Sequence, residues 1–158
     1  MVKTNVMRLL DAAKIPYRTA EYEYDESDLN GMHAAEGIGM PPEQVFKTLV
    51  AKGEKRGHLV FCIPVCCELD LKKAAKAAGD KKVELIPVKD LLPLTGYIRG
   101  GCSPIGMKKP FPTHMDETAQ LYDEIAVSAG SRGCQIILSP EALGDYCKIA
   151  FEDLISLL

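Results

Sequence analysis

Val45-Phe46-Lys47-Thr48-Leu49-Val50-Ala51, then Gly53-Glu54-Lys55-Arg56-Gly57, then Leu59-Val60-Phe61-Cys62-Ile63-Pro64-Val65, is the stretch that decides the fold. The outer segments are rich in β-branched and aromatic residues and the five residues between them are turn formers, so the stretch predicts a β-hairpin. Strand side chains alternate between faces, which puts Val45, Lys47, Leu49 and Ala51 on one side and Phe46, Thr48 and Val50 on the other. Lys47 is the anomaly in an apolar row. If it points inward, its ammonium must meet an anion or a polar cavity, because leaving it bare is costly. The alternative is an edge strand whose lysine reaches water, or guards the edge against pairing with another chain.

On the N-terminal side, Val6, Leu9, Leu10 and Ala13 recur at helical spacing, predicting a helix over 4–14 bounded by Pro16. Tyr17 to Tyr24 alternates as a strand, with Ala20, Tyr22 and Tyr24 on one face. Residues 25–31 are turn chemistry; a short helix near 32–37 and a Pro41-Pro42 turn lead into the hairpin. Beyond the hairpin, Asp70 caps a helix over 71–78 that stops at Gly79, with Ala74, Ala75 and Ala78 inside. Lys82 to Ile86 reads as a strand and Val88 to Leu94 as a short helix. Glu124 to Ala129 and Cys134 to Leu138 are strands around the turn Gly130-Ser131-Arg132-Gly133. Ser139-Pro140 opens another helix, and a last one is expected over 151–157. Helices and strands do not alternate regularly, which argues against a doubly wound parallel sheet. The expected class is α+β, with a mixed or antiparallel sheet, open or closed into a barrel, and helices around it.

At 158 residues, with 47% hydrophobic and 26% charged residues, the chain fits one domain that needs no disulfide or metal to fold. Six cysteines are too sparse for a disulfide scaffold, no apolar run reaches a membrane span, and the N-terminus is not a signal peptide. The expectation is a cytoplasmic protein with reduced thiols. Net charge is −3, but it is unevenly placed: residues 47–109 carry 13 Lys/Arg against 6 Asp/Glu, and the rest carries 6 against 16. A fold that gathers the middle block on one side would present a basic face to phosphates. A solvated helix face explains the same lysines.

The sequence has no Walker loop, no dinucleotide fingerprint and no G-x-S-x-G elbow. Its three histidines are far apart and Cys62, Cys66 and Cys67 form no C-x-x-C pair, so neither metal nor cofactor is expected. Residues 95–113 hold four glycines and three prolines, more than a plain connection requires. Within them, Gly100-Gly101-Cys102-Ser103-Pro104 could bring main-chain N–H groups close to a carbonyl oxygen, or could be only a tight turn. Lys108 and Lys109 add positive charge nearby. Cys102 is a candidate nucleophile only if those lysines stabilise its thiolate, and no partner base is visible. Ser128, before the late glycine turn, adds a hydroxyl at a strand end.

Four stretches, taken in order, resemble the YbaK/EbsC family of aminoacyl-tRNA editing proteins. They are Val45 to Val50, Glu68-Leu69-Asp70-Leu71-Lys72-Lys73-Ala74-Ala75, Thr95 to Gly106, and Val127 to Gly133. The likeness runs from about residue 4 to 155. The family includes Cys-tRNA(Pro) deacylase, and the editing insertion domain of bacterial prolyl-tRNA synthetase is related to it. The resemblance implies a mixed, largely antiparallel β-barrel surrounded by helices, one editing domain over 1–158. It implies a trans-editing deacylase of Cys-tRNA(Pro) that works without a cofactor, in a ternary complex with prolyl-tRNA synthetase, away from membranes. The family lysine falls on Lys47 and the threonine after it on Thr48. The G-x-x-x-P loop falls on Gly100 to Pro104, the first-strand tyrosine on Tyr22, and the serine before the late turn on Ser128. Lys47, Gly100 and Gly101 take the catalytic part; Tyr22, Thr48, Cys102, Ser103, Pro104 and Ser128 take the substrate. In members studied as cysteine deacylases the substrate's own thiol attacks its ester. Where some members carry phenylalanine in the first loop this chain has Leu29-Asn30-Gly31, and where some carry aspartate it has Gln135. Both departures bear on the amino acid chosen, which leaves Ala-tRNA(Pro) editing and non-catalytic tRNA or synthetase binding as alternatives.

Overall fold

The computed structural model describes residues 2–156. The chain opens with α1 (Asn5–Ala12), β1 (Arg18–Glu21) and α2 (Gly31–Ile38), then forms the long hairpin β2 (Phe46–Gly53) and β3 (Gly57–Pro64). There follow β4 (Glu68–Leu69), α3 (Leu71–Ala78), β5 (Val83–Leu85), α4 (Leu91–Thr95) and β6 (Thr113–Asp116). The last elements are β7 (Ile125–Ser128), β8 (Cys134–Leu138), α5 (Pro140–Cys147), β9 (Ala150–Glu152) and β10 (Ile155–Ser156). The caps read from the sequence are in place. The Asp70 carboxylate accepts from the N–H groups of Lys72 and Lys73, and α3 ends at Gly79 with φ +69°. Ser139 Oγ accepts from Ala142 N at 3.1 Å, with Pro140 at the first helical position.

Phe46↔Pro64 to Gly53↔Gly57 is an unbroken antiparallel ladder. It is the centre of a five-stranded mixed sheet, order β5-β2-β3-β6-β9, in which β3, β6 and β9 run parallel. Both faces of the hairpin are covered. Phe46, Val50, Val60 and Cys62 join the main core with Val6, Met7 and Leu10 of α1, Ile125 and Val127 of β7, and Ile136 and Leu138 of β8. Ala51, Leu59, Phe61 and Ile63 pack under Ala74 and Ala75 of α3 and against Leu154. Burial on both sides explains why Leu59 to Ile63 is apolar without interruption. A second sheet, β1-β8-β7, is antiparallel, and β10 pairs with β4. A lone parallel bridge, Val45↔Ala126, ties the two larger sheets together. The class is α+β with mixed sheets and five α-helices; among the described residues the ladders form three sheets and trace no closed barrel.

The expected helix over 151–157 is corrected to the strands β9 and β10, with residue 157 outside the described range. The reason lies in β6. Asp116 is buried, and its Oδ1 accepts from Leu154 N at 2.9 Å while Oδ2 accepts from Thr118 N and Thr118 Oγ1 at 3.1 and 2.6 Å. That carboxylate and the β6–β9 ladder hold the C-terminal segment extended. Among the described residues no helix is long and apolar enough to cross a membrane.

Candidate functional site

One edge of β2 is fully occupied by β3. The opposite edge is occupied only at its ends, by the Val45–Ala126 bridge at one and by the Ala51↔Leu85 to Gly53↔Val83 ladder at the other. Between them lies a gap, and in that gap a cavity of about 440 Å³. Its lining includes Val45 to Val50 from the exposed edge, Ser128 from the end of β7, and Leu85 and Ile86 from the end of β5. Ile86 N donates to Val50 O at 3.1 Å, so the main-chain groups of Val50 face this edge. Those of Thr48, two residues back, face it too.

Lys47 is in register with Ile63 and sits between the apolar group around Val45 and Ala126 and the one around Ala51 and Phe61. It is half-buried and lines the cavity. Among the described residues no carboxylate lies within 4.0 Å of its ammonium, so the charge is free to meet an anionic ligand. Thr48 occupies the other face, its Oγ1 3.7 Å from Cys62 Sγ.

Gly100 lines the same cavity, with φ +87° that only glycine adopts without strain. Gly101 does not line it. Its N–H donates to Ile98 O at 2.9 Å, and an added Cβ would stand 3.1 Å from the Ser131 carbonyl carbon. The second glycine therefore lets the 99–102 loop pack on the late turn, and its N–H is not free for a ligand. The N–H groups of Gly100 and Cys102 have no acceptor among the described residues. Arg132 braces this contact, its Nε donating to Arg99 O at 2.9 Å. Ser103 and Pro104 also lie outside the cavity. Ser103 is fully buried and its Oγ accepts from Ile105 N at 3.3 Å, while Pro104 O accepts from the Cys147 thiol at 3.8 Å. Both are engaged in contacts within the protein.

Tyr22, Cys102 and Ser128 complete the group of expected residues that line the cavity. Ser128 Oγ accepts from Gly130 N at 3.1 Å, which leaves its proton to donate. Burial pushes the Cys102 thiol up to about 12. It is protonated near neutrality, so a thiolate nucleophile is not available there. In the deacylation that the family resemblance implies, Cys102→Ala is expected to keep its rate within about threefold, since the lost thiol is not the attacking group. A dead variant in a single-turnover assay would reverse that reading.

Three further features line the cavity: Gln135, which the sequence reading noted only as a departure bearing on the amino acid chosen, and two that it left unassigned. Gln135, beside Ser128 in the β7–β8 register, is 5% exposed, and its Oε1 has no hydrogen-bond partner among the described residues. A buried carbonyl oxygen left unpaired on a cavity wall is an acceptor waiting for a donor. Arg99 brings a second cation to the lining, and Ile86, Pro87, Val88 and Leu91 form an apolar wall. The arginine beside the glycine pair was a visible signal; the apolar wall depends on where β5 docks and had no local one. Among the described residues no His, Asp or Glu lines the cavity itself; Asp28 and His33 line a recess of about 10 Å³ beside it that shares Tyr22, Leu29, Asn30 and Gly100. A more open depression of about 590 Å³ on the surface of β1 and the late turn shares only Tyr22 with it.

Residues 32–146 match the aminoacyl-tRNA editing domain. The chain is 55% identical over 156 residues to the "Putative Cys-tRNA(Pro)/Cys-tRNA(Cys) deacylase EbsC" of Enterococcus faecalis, covering 96% of this chain and 95% of that protein. A 107-residue match to the proline–tRNA ligase of Fervidobacterium nodosum is 28% identical and covers 60% of this chain and 18% of that enzyme. The solved structure of "a putative trans-editing enzyme for prolyl tRNA synthetase" aligns with a TM-score of 0.82 at 24% identity, over 99% of this chain and 100% of that one, a likeness of fold. With its family match and its relative across nearly the whole length, the chain belongs to the aminoacyl-tRNA editing domain family.

Proposed function

We propose that the protein is a trans-editing deacylase that cleaves the ester of cysteine mischarged onto tRNA(Pro), with the substrate's own thiol as nucleophile. The full-length likeness to EbsC supports the substrate. The observation that carries the mechanism is what lines the cavity: two cations, main-chain donors, the hydroxyls of Tyr22, Thr48 and Ser128 and the amides of Asn30 and Gln135, but, among the described residues, no carboxylate, histidine or ionised thiol. Such a site can hold an anionic nucleic-acid end and an ester, but among the described residues its own lining offers no base with which to activate water.

In this reading Lys47 and Arg99 meet the phosphates of the acylated 3′ end, and the apolar wall from Ile86 to Leu91 takes the terminal base. The ester carbonyl oxygen lies against the N–H groups of Gly100 and Cys102, the latter replacing Gly101, whose N–H is committed to Ile98. Tyr22, Thr48 and Ser128 line the place of the amino acid, and Gln135 Oε1 accepts from its ammonium. The cysteine sulfur attacks its own carbonyl carbon. A C–S bond forms, the C–O bond to the ribose breaks, and the thiol proton ends on the ribose oxygen. The products are a cyclic thioester and free tRNA. The protein contributes position and charge stabilisation.

Residues 1–158 act as one cytoplasmic editing domain in this reading, and the family's barrel corresponds to the two sheets joined at Val45–Ala126. Work in a ternary complex with prolyl-tRNA synthetase belongs to the same proposal, supported by the partial match to a proline–tRNA ligase. The test is a set of tRNA(Pro) species charged with cysteine or alanine. Cysteinyl-tRNA(Pro) is expected to be cleaved at least about a hundredfold faster, because alanine brings no nucleophile. Comparable rates would mean the site activates water, and the mechanism would be wrong.

A further inference from the structure

Cys66 and Cys67 follow β3 in a turn fixed at both ends. Val65 N donates to Val45 O at 2.8 Å and Cys67 N donates to Pro64 O at 3.0 Å. The two thiols are free, half-buried, and 3.8 Å apart at sulfur. A disulfide needs about 2.05 Å, so direct bonding would require the turn to move. A single soft atom can instead bridge the sulfurs without joining them, and thiolate sulfur prefers soft partners. Burial, then the neighbouring Cys66 thiol, pushes the Cys67 thiol up to about 11. It is therefore slow towards reagents that need one thiolate, and gains most from a partner that binds both sulfurs at once.

We propose that Cys66–Cys67 is a binding site for trivalent arsenicals, and that filling it disables the neighbouring cavity. With phenylarsine oxide, two As–S bonds form and the As–O double bond breaks. The two thiol protons leave with the oxygen as one water, and arsenic stays trivalent. The link to the cavity is Val65. It lines the cavity, packs with Ala35, Val45 and Ala126, and would meet a Cβ on Gly31 at 2.5 Å, so it has no slack. A bridge across the next two residues pulls on that wall.

The second half of the proposal rests on the deacylase reading; the first does not. Purified protein is treated with one equivalent of phenylarsine oxide and examined by intact mass. The expected result is one phenylarsenic adduct that a small dithiol removes and a monothiol does not. Cys66→Ser and Cys67→Ser should each weaken adduct formation at least about tenfold, whereas Cys147→Ser should not. Retention of a dithiol-reversible adduct by either of the first two variants would overturn the site. In the same samples, deacylation by wild type should fall about tenfold and return with the dithiol, while Cys66→Ser is indifferent. Full activity in the wild-type adduct, or equal inhibition of Cys66→Ser, would overturn the link to the cavity. An untreated protein with no deacylase activity would count against the proposed function, and the mass result would still decide the dithiol site.

Discussion

Lys47→Ala is expected to lower the deacylation of cysteinyl-tRNA(Pro) by about a hundredfold or more, because the charge that holds the phosphates, and with them the ester, in the reacting position is removed. The lysine is half-buried on an open strand edge, beside the cavity gap and without a carboxylate partner among the described residues. Its charge is therefore not spent inside the protein. Lys52, on the same strand but exposed and outside the cavity, is the control for general charge. Lys52→Ala should stay within about twofold, because an exposed cation contributes mainly screened, long-range attraction. Thermal stability of Lys47→Ala should change little, since no ion pair is broken. A near-native rate for that variant would remove Lys47 from the chemistry.

Asp116→Ala is expected to lower the stability of the fold by about 3 kcal/mol. The carboxylate is 1% exposed and accepts from Leu154 N, Thr118 N and Thr118 Oγ1. Alanine leaves those donors without a partner inside the protein, and an unmet buried donor costs more than a made bond is worth. It also frees the segment that places Leu154 under the hairpin. Denaturant unfolding measures the loss. A change below about 1 kcal/mol would mean that β6 and β9 hold the tail without the carboxylate.

Asp116 also marks where the sequence stopped being informative. Alternation and turn chemistry were enough to read the β2–β3 hairpin, because its register is set locally by Gly53 and Gly57. The caps Asp70 and Ser139 were legible for the same reason, each bonding within three residues. β6 was not. Thr113, His114, Met115 and Asp116 look like a polar loop, and they are a strand only because β3 and β9 flank them in parallel. The tail over 151–156 alternates poorly and looks helical until Asp116, 38 residues before Leu154, takes its N–H.

The candidate site divided along the same line. That Lys47 shares a face with Val45, Leu49 and Ala51 followed from strand period alone. The gap it faces did not, because that depends on β5 and β7 stopping short of each other along one edge of β2. The glycine pair was visible, but not the separate uses of its two members: Gly100 faces the cavity and Gly101 faces Ser131. Gln135 could be noted as a departure from a pattern, yet its unpaired oxygen exists only once β8 lies beside β7.

The central claim is that the cavity supplies position and charge while the substrate supplies the nucleophile. Cysteinyl-tRNA(Pro) and its S-methylcysteinyl counterpart differ in little but that nucleophile. Single-turnover deacylation of the two by the purified protein is the most direct test. The account predicts rapid release from the free thiol and a loss of about a hundredfold or more once it is methylated. Equal rates would place the attacking group in the protein or in water, and would contradict it.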